Sequence, residues 1–134
     1  MQDAYRKVFA SLRERPGQFF LTQDRYDVLV GFVIGCDLGN AGGLLRGFEE
    51  WLLQRHGGRR NVHWAGLVLD AAFPDREDRL LVAEMTEDEH RHAISVLWEL
   101  LDRFLSESGG LLETRKIYRG YWNWQNAQGM TPEL

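Results

Sequence analysis

Four histidines, a single cysteine and a dense run of carboxylates are the residues of this chain whose types can do chemistry. A bound metal needs ligands that converge, and the histidine spacings do not. His90 and His92 are two apart, which on a helix turns their rings about 200° from each other, whereas an i, i+4 pair would share a face. His56 and His63 straddle the Gly57-Gly58 turn with no carboxylate pattern beside them. All four read as surface or helix-end histidines, and no metal is expected. Cys36 is placed beside Asp37 near the end of a helix, where the partial negative charge of the terminus disfavours a thiolate. It reads as a small buried hydrophobe rather than a nucleophile. Ser11, Ser95, Ser106 and Ser108 lack a nucleophile-elbow context. The glycine-rich stretch Gly39-Asn40-Ala41-Gly42-Gly43 lacks the Lys-Ser/Thr end of a P-loop and a preceding strand. It reads as a loop that opens a helix, so no catalytic residue and no cofactor is expected.

The carboxylates are distributed unevenly. Residues 1–69 hold nine basic and seven acidic side chains (+2), residues 70–113 four and twelve (−8), and residues 114–134 three and one (+2), which gives the overall −4. Seven acids fall within 75–89: Asp75, Glu77, Asp78, Glu84, Glu87, Asp88 and Glu89. A helix start accounts for Glu87 and Asp88, because anions are favoured in a first turn. The remainder exceed what one cap requires and would steer a basic partner. The late aromatics Tyr118, Tyr121, Trp122 and Trp124 have two readings, sealing the core or anchoring an interface. The expected partner-binding set is those seven acids with Trp122 and Trp124.

Positioning these groups falls to helices. With 134 residues, 44% hydrophobic and 27% charged, the chain has the balance of one globular domain spanning 1–134, and 12% aromatic residues exclude disorder as its main state. Tyr5, Val8, Phe9 and Leu12 predict a helix over 3–14, stopped at Arg15-Pro16-Gly17. Tyr26, Leu29, Val30, Val33 and Ile34 predict a second over 24–36, capped by Thr22 or Asp24, in which Gly31 and Gly35 call for close approach by another helix. Leu44 to His56 predict a third over 42–56. The segment 62–72 reads as a buried helix, and periodicity leaves a strand at 62–69 open. Thr86 with Glu89 forms a capping box for a helix over 87–107. The tail is read as helix or extended chain, with 125–134 flexible. The expected architecture is an all-α bundle of five or six helices, with short extended segments near 62–69, 79–84 or 115–124 left open.

The strings ERPGQFFL, YDVLVGFVIGCDLG, GFEEWLLQRHGG, VHWAGLVLDAAF and IYRGY resemble a loosely defined group of small bacterial proteins, among them immunity proteins of toxin systems. In that resemblance Arg15, Pro16, Gly17, Phe19 and Phe20 mark a turn, and Gly31, Gly35, Trp51 and Trp64 mark packing positions. No catalytic residue is implied.

The net charge of −4 and pI near 5.5 argue against a protein that coats nucleic acid or an anionic membrane. One cysteine excludes an intramolecular disulfide, and neither a secretory leader nor an apolar run of about 18 residues is visible, so a cytoplasmic protein is expected. Two functions follow as expectations. One is a non-catalytic interaction protein, of the toxin-immunity kind, that occludes a basic toxin domain with its acidic face. The other is a small-molecule-binding protein or minor enzyme with a pocket among Trp51, Trp64 and the glycine-bearing helix.

Overall fold

The computed structural model describes residues 2–19, 24–58, 62–78, 80–108 and 111–129. Six α-helices run in order: α1 Gln2–Glu14, α2 Tyr26–Gly39, α3 Phe48–His56, α4 Trp64–Ala72, α5 Glu87–Glu107 and α6 Leu111–Ala127. Two 3-10 turns intervene, at Pro16–Phe19 and Val82–Glu84, and no strand occurs among the described residues. The described residues form an all-α domain of six helices, and the ambiguous 62–69 stretch is helix from Trp64 onward. The segments 79–84 and 115–124 hold no strand among the described residues. Thr22, Phe20 and the final residues 130–134 lie outside the described residues, while 125–127 continue α6.

α5 is the axis of the bundle. Thr86 Oγ1 accepts the Glu89 N–H and the Glu89 carboxylate accepts the Thr86 N–H, so two orphan donors of the helix start are satisfied reciprocally. From there His90, Ala93, Leu97, Trp98, Leu100, Leu101, Phe104 and Leu105 form its buried stripe. α1, α2 and α4 pack on it, and α3 packs between α4 and α6. Phe48 at the start of α3 joins these elements: its ring centroid lies 5.0 Å from Phe104, 5.6 Å from Trp64 and 6.1 Å from Trp51.

Tyr26, the first residue of α2, is bound on both sides. Its phenol donates to the Ala65 carbonyl of α4 at 2.6 Å, and its backbone N–H donates to His90 Nδ1 of α5 at 2.9 Å. Burial pushes that phenol far above its ordinary pKa. His90 is therefore a helix-end histidine, as one of the two expectations had it, but a buried acceptor, 5% exposed, and not a surface group. Its Nδ1 carries no proton while it accepts.

Two expectations about helix ends and packing change. The third helix begins at Phe48 instead of 42, because Ala41, Gly42 and Gly47 take positive φ and break the run. The Asp37 carboxylate accepts the Leu45 N–H at 2.8 Å and Asn40 Nδ2 donates to the Cys36 carbonyl at 2.7 Å, which fixes the connecting loop. The second helix spans Tyr26–Gly39, and no side chain caps its start. Gly31 and Gly35 face outward with nothing near the place where a Cβ would sit. No helix approaches them closely. Cys36 is half-buried in the last turns of α2, and burial raises its thiol pKa.

The Tyr26–His90 contact generates a stability expectation. His90→Ala strands a buried N–H, which costs about 1–3 kcal/mol before any cavity penalty. The urea midpoint should fall with an unchanged denaturant slope; an unchanged midpoint would show that the contact carries nothing.

Candidate functional site

The acid-rich segment forms the corner between α4 and α5. Two contacts close that corner. Arg76 pairs with Glu89, its guanidinium lying 5.5 Å from the Phe73 ring centroid, and His92 Nε2 meets the Ala72 carbonyl at 2.9 Å. The turn 73–78 is thereby held against the first turns of α5. Asp75, Glu77, Asp78, Glu84, Glu87 and Asp88 are all exposed. Asp88 pairs with Arg91 three residues on, whereas the carboxylates of Asp75, Glu77, Asp78, Glu84 and Glu87 enter no ion pair among the described residues.

Glu89 differs from its neighbours. Its carboxylate serves the capping box and the Arg76 pair, and the Thr86 backbone N–H is the leading cause that holds its pKa below the ordinary glutamate range. It is a structural group. Trp124 is half-buried and stacked on Tyr121, 5.9 Å between centroids, while Trp122 is 50% exposed. α6 packs on α3, and the acids sit at the α4–α5 corner. The described packing therefore gives the Trp122–Trp124 end and the acidic edge separate settings in the fold.

The edge has a depth that sequence did not signal. A cavity of about 400 Å³ opens beyond the C-terminal end of α4, walled by Gly58, Leu69, Phe73, Pro74 and Leu80 and rimmed by Asp70, Arg76, Glu77 and Asp78. Its size is that of a recognition pocket. The last carbonyls of α4 point their partial negative charge toward this region, where helix electrostatics favours cations. Asp75, Glu77 and Asp78 follow this helix end in sequence, so no helix start accounts for them as α5 accounts for Glu87 and Asp88. The acids at 87 and 88 are explained by α5; those at 75, 77 and 78 are not explained by any helix.

Other candidates resolve differently. Trp51 and Trp64 are buried against Phe48, so they fill the core and do not wall a pocket between them. Trp51 Nε1 donates to Glu107 Oε2 at 2.7 Å and Arg55 reaches the same oxygen at 2.7 Å, with its guanidinium 4.8 Å from the Trp51 ring centroid. These groups neutralise one another and brace α3 against α5. Burial first, then the charges of Arg103 and Arg55, lowers the pKa of His56 beside them. His63 caps α4 by accepting the Ala65 N–H at 3.1 Å, and Glu49 accepts the Trp64 N–H at 3.2 Å. Among the described residues no three of His, Cys, Asp and Glu gather as a metal set, and no helix is long and apolar enough to cross a membrane.

No protein-family model, no curated protein and no solved structure matches this chain. The reading of its site accordingly stands on the geometry above.

Glu89 supplies a check on the corner. Its depressed pKa contributes stability that is complete above the ordinary glutamate value of about 4.3 and is lost as pH falls through the lower native value. Thr86→Ala should cost about 0.5–2 kcal/mol and move the Glu89 titration, followed by carboxyl NMR, up toward the ordinary value. A titration that does not move would separate Glu89 from the cap.

Proposed function

We propose that this chain is a non-catalytic interaction protein that docks a basic surface of another protein on its α4–α5 acidic corner. The observation that carries the reading is the juxtaposition at one helix end of a cavity and the carboxylates of Asp75, Glu77 and Asp78, which enter no ion pair among the described residues. A cluster of fixed negative charge at the mouth of a cavity steers and holds cations, and Leu69, Phe73 and Leu80 in its lining offer contact to an anchor residue.

In its sharper form the proposal is toxin immunity by occlusion. Toxin domains that act on nucleic acid present basic surfaces, and a rigid acidic corner seated on such a surface blocks the substrate without any chemistry of its own. The resemblance of the chain to a loosely defined group of small bacterial proteins, immunity proteins and uncharacterised proteins among them, supports this form, as does a charge balance in which −8 of formal charge is concentrated in residues 70–113. A cytoplasmic site of action belongs to the same proposal.

The test is binding of the full chain to the protein encoded by the adjacent gene, which the proposal expects to be a toxin. The variant Asp75→Lys with Glu77→Lys and Asp78→Lys should keep the wild-type helical circular dichroism, bind about tenfold or more weakly, and lose most of the salt dependence of its association rate. Unchanged binding of that variant at low salt would contradict the acidic-corner mechanism.

A further inference from the structure

The outer face of α6 carries the opposite charge, and no ring or ion pair among the described residues covers Arg115, Arg119 or Trp122. From 115 to 127 the helix has three cations, Arg115, Lys116 and Arg119, and no acid. Arg115, Tyr118, Arg119 and Trp122 follow at helical spacing on one face, in two adjacent rows of cations and rings. All four are exposed, Tyr118 by 41% and Trp122 by 50%. Neither Arg115 nor Arg119 enters an ion pair among the described residues. The neighbouring charges are Arg46 and Glu50, which act on the Tyr118 phenol in opposite directions, after burial, the main cause of its raised pKa. The packed side of α6 is a different one: Ile117 is buried and meets the Gly47 end of α3, and Tyr121 stacks on Trp124.

Two features of one molecule are therefore complementary. One is a cavity whose lining includes Leu69, Phe73 and Leu80 together with the carboxylates of Glu77 and Asp78; the other is an exposed aromatic row flanked by arginines. We propose that the outer face of α6 docks into the α4–α5 cavity of a second copy of this chain. Trp122 is buried against Leu69, Phe73 and Leu80, while Arg115 and Arg119 meet Glu77 and Asp78. The inference rests on the reading of that cavity as a docking site, and adds who else occupies it. Arg76 at the rim does not oppose the contact, because Glu89 already compensates its charge. Single-stranded nucleic acid also suits arginines beside exposed rings. The −8 block on the same small domain repels a polyanion, and it attracts the α6 face of another copy. A contact made by one helix face is small, so the association is weak and reversible. A tighter basic partner then displaces α6 from the cavity, and self-association covers the acidic corner until that partner arrives.

The test uses two full-length variants that change only exposed side chains. One carries Glu77→Lys and Asp78→Lys; the other carries Arg115→Glu and Arg119→Glu. In sedimentation velocity at low salt the wild type should associate as its concentration rises and dissociate as salt is added. Each variant alone should be monomeric, and an equimolar mixture should associate again, because every α6 then finds a cavity of opposite charge. Trp122→Ala should weaken wild-type association about tenfold or more without weakening binding of a basic partner protein. A monomeric wild type at every accessible concentration overturns the proposal, as does self-association of either variant at wild-type strength or a mixture that stays monomeric. If self-association is absent while a basic partner still depends on Glu77 and Asp78, the cavity remains a docking site and only the second copy is removed. If that partner is indifferent to both residues, the docking reading falls with it.

Discussion

The burial of Phe48 between α3, α4 and α5 is the contact on which the rest of the arrangement depends. α3 and α4 have nine residues each, below the length at which an isolated helix persists in water. They exist because Phe48, Trp51 and Trp64 are withdrawn from solvent against Phe104, and because neighbouring groups cap them. Glu49 and His63 satisfy the first N–H groups of α4, and the Tyr26 phenol fixes the carbonyl of Ala65. With the start of α4 held, its C-terminal end has a defined place, and that end forms the wall of the cavity and sets the sign of the local field.

The carboxylates there are best understood as a conflict within the monomer. A solvated acidic face would be unremarkable on a helix start, and α5 shows that case with Glu87, Asp88 and the reciprocal cap of Glu89. Asp75, Glu77 and Asp78 follow a helix end instead, and none of them enters an ion pair among the described residues. A departure from a local rule with no ion pair to offset it among the described residues is in keeping with the docking role proposed for this corner. The cavity beside them gives that task a shape, and the basic, aromatic face of α6 shows the chemistry that fits.

Much of the fold was legible in the sequence, and for identifiable reasons. The 87–107 helix carries its own start signal in Thr86 and Glu89 and a long apolar stripe, so local and tertiary preferences agree. The start of α3 was misplaced because the apolar spacing of Leu44 and Leu45 continues the helical period while positive φ at Gly47 forbids the helix; periodicity sees side chains and not backbone. Leu44 and Leu45 are buried from a loop. Gly31 and Gly35 suggested close packing, yet α2 turns them to solvent, a choice made by partners distant in sequence. His90 was unreadable because its role depends on the Tyr26 N–H, 64 residues away. The acidic edge was visible as composition. Its cavity was not, since Gly58, Leu69, Phe73 and Leu80 meet only after α3 and α4 pack.

The central claim is that the acids at the end of α4 serve binding at the expense of the monomer. Thermal unfolding of the variant Asp75→Asn, Glu77→Gln, Asp78→Asn against wild type at low and high salt tests it most directly. The account predicts a variant more stable than wild type at low salt, with the gap closing as salt screens the repulsion. A variant less stable than wild type would show that these carboxylates hold the fold together, and would contradict the account.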